Sequence, residues 1–332
     1  MHNFIVTFNI VAPLALYMVL GAVFRRIGLM DESFTKKINK LLMVLFIPCN
    51  TFSNLARADL SQMGGQFYVF YAVAGNLVLM VVLWGIYKLC RYEPGRLGSI
   101  VQGSARGNGV IFGIPLAEAV FGAGNTATMA LMLAATVPFY NITHLAMLEI
   151  CGQEQAELDR SRAEGGRIAV RNRKGPNWKV IGGSILRNGI LWSVAAGLFF
   201  NFLKIPIPEF IFTVIKGSGA CVTPVAFMMV GASFSFAGAG HDRKDLILAT
   251  ATKLVFVPCV FMVLPILQRW PAEKLLAMLV AFAAPTAIIS YPMARDAGCD
   301  GELSAEIVAS TVVFSMFTIF LWIFAFKQAG LM

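Results

Sequence analysis

The sequence predicts an all-α polytopic membrane protein of ten transmembrane helices, arranged as two inverted five-helix repeats with the fourth and ninth helices broken. Three observations predict it. Of 332 residues, 58% are hydrophobic and only 14% charged, with a mean hydropathy of +0.72, whereas a soluble domain is roughly 45–50% apolar and about 25% charged. The apolar residues gather into about ten runs, and a span needs about 20 of them. Two of the runs are interrupted at matching places, the fourth by Gly, Asn and Pro and the ninth by two prolines.

The runs lie at 4–24, 36–55, 67–89, 98–121, 126–150, 183–203, 210–236, 245–267, 273–294 and 303–326. No basic region precedes the first, and Arg25-Arg26 follows it, so it reads as a retained span and not a signal peptide. The connections are short except for 152–180, a polar loop carrying Arg160, Arg162, Arg167, Arg171, Arg173, Lys174 and Lys179. That loop divides the chain into a first repeat, 1–151, and a second, 181–332.

Basic residues mark alternate connections: Arg25, Arg26, Lys36 and Lys37; Lys88, Arg91 and Arg96; the central loop; Arg243 and Lys244; and Arg295. The other side has only Arg57, Lys204, Arg269, Lys274 and Lys327. The positive-inside rule places the first set in the cytoplasm and both termini outside. The net charge of +9 is thus a matter of orientation in a bacterial inner membrane, and no nucleic acid partner is expected. Six cysteines show no CxxC pairing and read as small buried hydrophobes.

With five spans per half, homologous halves must be inverted relative to each other. Gly21 in Leu20–Phe24 matches Gly197 in Ala196–Phe200, an offset of 176. Pro48 and Pro224 are again 176 apart, and Pro115 and Pro292 are 177 apart. Inverted repeats with paired interrupted helices are a transporter signature, and the interruptions point to the binding site.

The fourth run contains Gly107-Asn108-Gly109-Val110-Ile111-Phe112-Gly113-Ile114-Pro115-Leu116. A glycine costs about 1 kcal/mol and a proline about 3 kcal/mol in a helix interior. In hydrocarbon the freed backbone groups need partners from protein or a water-filled cavity. The ninth run repeats the interruption in Ala284-Pro285-Thr286-Ala287-Ile288-Ile289-Ser290-Tyr291-Pro292. Crossing breaks present half-helix N-termini, with their partial positive charge, to an anion. Candidate substrate-binding residues are Asn108, Gly113, Pro115, Pro285, Thr286 and Tyr291, with Asn50, Thr51 and Asn141 as further polar positions inside spans. A side-chain amide in a span also serves as glue between helices, so each has a structural reading beside the functional one. Arg106 and Lys253 either snorkel or meet substrate. Glu118 and His144 are the candidate coupling groups, since an intramembrane ionisable residue is functional by default; H+ and Na+ both stay open.

Catalytic motifs are absent: there is no HExxH and no GxSxG, and Gly107, Gly109 and Gly113 are spaced GxGxxxG, which fails the dinucleotide fingerprint. The three histidines show no metal-ligand spacing. Neither an enzyme, a cofactor nor a metal is expected.

End to end, the chain resembles the auxin efflux carrier family, which includes plant PIN carriers and bacterial malonate and malate permeases. The resemblance rests on Ala12-Pro13 and Leu20-Gly21, Ile38-Asn39 with Pro48 and Phe52, Asn108 with Gly113-Ile114-Pro115-Leu116 and Phe121-Gly122, Arg187-Asn188, Pro224 and Gly231, Pro285 with Ala294-Arg295-Asp296, and Thr311–Phe314. It implies a fold like that of the bile-acid/sodium symporters: ten spans, crossing broken helices 4 and 9, an elevator mechanism and a homodimer. By similarity, Asn108, Pro115 and Pro285 mark the crossover, and Asn141 resembles a cavity-lining Asn of span 5. Thr286 stands where the plant carriers have a polar amide. The expected function is transport of a small organic anion, a dicarboxylate such as malonate or malate. Export of auxin-like aromatic monocarboxylates and a non-transporting membrane receptor are the alternatives.

Overall fold

A computed structural model describes residues 2–57, 67–122, 125–163, 189–232 and 243–332. These residues are mostly helical, and β structure among them is confined to one bridge between Gly107 and Thr286. Among the described residues, six helical segments are long and apolar enough to cross a membrane: Asn3–Arg26, Phe67–Leu89, Ala127–Ala163, Glu209–Ala232, Arg243–Leu267 and Gly301–Gln328.

The chain opens with α1 (His2–Arg26). A short turn leads to Asp31, whose carboxylate accepts from the Phe34 amide at 2.6 Å and caps α2 (Glu32–Leu41). A π-helical turn, Leu42–Phe46, then joins α2 to α3 (Ile47–Ala56). Its cause is Pro48, which lacks an N–H and whose ring would press on the preceding turn; the wider π turn takes up the misfit. The same device recurs where Thr252–Phe256 precedes Pro258, between α11 (Arg243–Ala251) and α12 (Val257–Phe261). The helix then continues as α13 (Val263–Leu267).

The remaining elements are α4 (Phe67–Leu89), α5 (Pro94–Ala105), α6 (Gly109–Phe121), α7 (Ala127–Ala163), α8 (Gly189–Phe202), α9 (Glu209–Ala220), α10 (Val222–Ala232), α14 (Ala272–Ala283), α15 (Ser290–Asp296) and α16 (Gly301–Gln328). α7 runs past the expected end of its span at 150 and takes the first part of the expected 152–180 loop into the helix. Hydropathy marks only the apolar stretch. Beyond it the helix is held by Lys88 to Glu154 at 3.4 Å, by Arg162 to Glu93 at 2.9 Å, and by the Gln155 side-chain oxygen accepting from the Gly95 amide at 3.0 Å. The loop residues Arg167, Arg171, Arg173, Lys174 and Lys179 lie outside the described residues, as do 183–188 and 233–236 of the expected spans and the Arg187-Asn188 pair.

Two glycines let α1 and α10 pack backbone to backbone. A β-carbon on Gly21 of α1 would sit 1.8 Å from the Met228 carbonyl oxygen of α10, and one on Gly231 would sit 1.8 Å from that of Met18. The backbones therefore touch directly. A second contact of this kind lies between α8 and α3. A β-carbon on Gly197 would be 2.9 Å from Leu55 Cβ and 3.3 Å from the Phe52 carbonyl oxygen. Adding 176 to Gly21 gives Gly197, and subtracting 176 from Met228 gives Phe52.

Candidate functional site

The site forms where the chain cannot stay helical. α5 stops at Ala105, and Arg106, Gly107 and Asn108 leave the helix before α6 resumes at Gly109. α14 likewise stops at Ala283, and the chain is non-helical through Pro285 until α15. The two gaps solve each other's backbone problem. The Asn108 amide donates to the Pro285 carbonyl at 2.7 Å, and the Ala287 amide donates to the Arg106 carbonyl at 3.2 Å. Gly107 and Thr286 sit opposite each other in this bridge. The crossing of two broken helices is thus a short antiparallel pairing, which satisfies groups that hydrocarbon would leave bare.

Behind the pairing lies a buried polar chain. The Ala105 carbonyl, the last of α5, accepts from Asn76 Nδ2 at 2.9 Å and from Lys253 Nζ at 3.3 Å. The Asn76 side-chain oxygen meets His144 Nε2 at 3.2 Å. A cation at a helix C-terminus is well placed against the helix dipole. Thr286 is consumed in the same scaffolding: its hydroxyl donates to the Gly103 carbonyl at 2.6 Å, and its amide donates to Thr311 Oγ1 at 3.1 Å.

In front of the pairing is a cavity of about 1130 Å³. Its floor is Arg106, Gly107, Asn108, Gly109, Val110 and Ile111. The amides of Gly109, Val110 and Ile111 open α6 and have no intrahelical carbonyl to reach. Asn108 is the N-cap residue, yet its side chain makes no capping bond. One wall is a stripe of α7, with Leu133, Val137 and Asn141 and beside them Met132, Thr136 and Tyr140, each set repeating every fourth residue on one helix face. The rim carries exposed Arg25, Lys36 and Arg295, with Asn39 and Tyr291. Among the described residues, the lining holds four cationic side chains, Arg106 included, and no Asp or Glu.

Of the residues the sequence singles out, the structure brings Asn108, Asn141 and Tyr291 to this cavity. Pro285 and Thr286 stand in the pairing itself. Gly113 and Pro115 lie buried farther along α6. Gly113 serves close packing, since a β-carbon there would be 2.9 Å from Met129 Sδ. Asn50 and Glu118 form a separate group. Glu118 Oε1 accepts from Asn50 Nδ2 and Oε2 from Thr223 Oγ1, each at 2.7 Å. Asn54, one turn on, bonds both Asn50 Oδ1 and Thr126. Thr51 is buried nearby, and His144 belongs to the polar chain behind the pairing. The rim cations and Tyr140 escaped the list of candidates. For Tyr140 a signal was present: it lies four and eight residues from Thr136 and Met132, on the face that Asn141 adjoins.

An uncharacterized transporter of Methanothermobacter thermautotrophicus (strain Delta H) is 21% identical to the chain over 309 residues, 92% of this chain and 93% of that protein. The family model described as membrane transport protein matches residues 6–323. The chain therefore belongs to this membrane transport protein family, the auxin efflux carriers.

Proposed function

We propose that the protein is a secondary carrier of a small organic anion, with a C3–C4 dicarboxylate such as malonate or malate as its substrate. The observation that carries this reading is the cavity at the crossing of two broken helices, whose described lining is cationic and free of carboxylates. The open α6 amides and the uncommitted Asn108 amide suit a carboxylate, because a helix N-terminus offers both N–H donors and a favourable field.

Alternating access follows from where the polar contacts lie. The α2–α3 segment carries Lys36 at the cavity end and Asn50 and Asn54 at the other. Bonds from Asn50 and Thr223 to Glu118, and from Asn54 to Thr126, tie α3 and α10 to α6 and α7 at that far end. This supports an inward-open state, with the basic, cytoplasmic side open and the outer side held shut. In the proposed cycle, substrate binds at the pairing, the far-end bonds release, and the paired helices move as one elevator unit against α1–α3 and α8–α10. The glycine contacts related by the 176-residue offset support two inverted five-helix repeats. The protein is proposed to act as a homodimer in the bacterial inner membrane, with both termini outside.

Uptake of radiolabelled malonate into proteoliposomes tests the reading. Saturable uptake that malate inhibits and the uncharged malonamide does not is expected. Uptake no faster than into empty liposomes overturns it. Inhibition by an aromatic monocarboxylate stronger than that by malate would favour export of auxin-like anions instead.

A further inference from the structure

Arg106 is the one strongly basic side chain at the cavity floor, and it is only 5% exposed. Its guanidinium has two side-chain contacts, both neutral: Nη2 donates to Asn141 Oδ1 at 2.5 Å, and Nη1 contacts Met293 Sδ at 3.0 Å. Among the described residues no carboxylate pairs with it. A guanidinium has five donors in a rigid fork and no acceptor, and thioether sulfur is a weak acceptor. A buried charge is several kcal/mol unfavourable unless it is paired and hydrogen-bonded. The fold nonetheless builds this one in, fixes its direction through Asn141, and aims it into a space whose described lining holds no anionic side chain.

We propose that Arg106 is the anchor for one substrate carboxylate, and that Asn141 is its positioning residue. The anchoring carboxylate supplies the counter-charge that the protein withholds. Arg pairs with a carboxylate through two parallel N–H···O bonds, which fixes the anion's plane as well as its place. A second carboxylate on a three- or four-carbon acid then extends toward the exposed cations at the rim, so dianions bind in preference to monoanions of the same size. This inference rests on the carboxylate-carrier reading and deepens it. It also explains why a site walled by Met132, Leu133 and Val137 on one side needs no Asp or Glu: any such group would satisfy Arg106 from within and compete with the substrate.

The test uses detergent-purified full-length protein, with malonate, malonate monoamide and neutral malonamide as probes in calorimetric titration and thermal melting. The wild type is expected to bind malonate more tightly than the monoamide and not to bind malonamide. Arg106→Gln is expected to weaken malonate binding about thirtyfold, the loss of a charge-assisted pair. Asn141→Asp is the sharper variant, since it places a carboxylate within hydrogen-bond reach of the guanidinium. It should melt no lower than the wild type, because the buried charge gains a partner, yet lose malonate binding at least tenfold. That combination is the opposite of what a merely structural amide predicts, and it reads out even if Arg106→Gln does not fold. Wild-type malonate affinity in Asn141→Asp, or in folded Arg106→Gln, overturns the assignment of Arg106 and leaves carboxylate transport standing. A wild type that binds none of the three probes overturns both.

Discussion

The amide of Asn108 donates to the carbonyl of Pro285 at 2.7 Å across the crossing of the two broken helices. This bond joins main chain to main chain, so the side chain of Asn108 is not what holds the crossing together. Structure and binding are separable at one residue. Asn108→Ala is expected to leave the melting midpoint within about 2 °C of the wild type, since it removes no bond within the described structure. Malonate uptake should fall at least tenfold, as for any lost bond to a charged group. Melting in detergent and uptake in proteoliposomes check the two halves. A large fall in the midpoint would mean that the side chain carries the pairing after all.

The glycine contacts give a purely structural prediction. At Gly21 a β-carbon would lie 1.8 Å from the Met228 carbonyl oxygen, a backbone atom that cannot rotate away. At Gly197 the nearest obstacle is Leu55 Cβ at 2.9 Å, with the Phe52 carbonyl at 3.3 Å. Gly21→Ala is therefore expected to force α1 and α10 apart and cost upwards of about 3 kcal/mol, beyond ordinary overpacking. Gly197→Ala should cost less, about 1–2 kcal/mol, because the α8–α3 pair has more room. Side-by-side thermal melting decides the order, and an equal or reversed order would contradict the packing described.

These contacts show what the sequence could reveal. Gly21 and Gly197 are recognisable as a pair by their offset alone, because each helix must place its small residue where a backbone arrives. The breaks at Gly107–Asn108 and at Pro285 are recognisable too, because Gly and Pro penalties are local. What the sequence hides is which group answers which. Arg106 meets Asn141 across 35 residues, Asn50 meets Glu118 across 68, and Thr223 meets Glu118 across 105. No periodicity encodes such pairings, since they depend on how spans pack and not on how each is composed. Gly113 and Pro115 lie buried along α6, outside the cavity lining, and Gly113 packs closely against Met129: a helix-weakening residue can serve packing as well as binding. The π turns before Pro48 and Pro258 were hidden as well, because hydropathy reports that a span exists and not how its hydrogen bonds are spaced.

Glu118 has both carboxylate oxygens occupied, by Asn50 and by Thr223, in groups that reach it from α3 and α10. A carboxylate serves two donors at once; a leucine of similar volume serves neither. Glu118→Leu therefore loses both bonds and leaves buried polar groups on α3 and α10 without this partner, at a cost of about 1–3 kcal/mol. The bonds lost tie α6 to its neighbours at the end away from the cavity, so that end should open more readily. The expected result is a lower melting midpoint together with faster labelling of the native Cys221, half-buried two residues from Thr223, by a membrane-impermeant thiol reagent added from outside and read at that residue by peptide mass spectrometry. A slower or unchanged labelling rate would mean that these bonds do not close the outer side.

The rim cations differ from Arg106 in being exposed, so they act on the dianion as a salt-screened attraction and not as a fixed anchor. Arg25 and Lys36 line the mouth from α1 and α2. Charges in that position raise the local concentration of anions, and salt screens them with a Debye length of about 8 Å at physiological ionic strength. The initial rate of malonate uptake at low substrate should therefore fall as ionic strength rises. In the double variant Arg25→Gln/Lys36→Gln the rate should start lower, by about threefold to tenfold at low salt, and vary less with salt, so that the two proteins converge near 1 M. Arg106→Lys behaves differently in this measurement. Its charge is kept but its two-pronged geometry is lost, so uptake should fall by a similar factor at every salt concentration. Parallel salt curves for the wild type and the rim variant would show that the mouth exerts no steering.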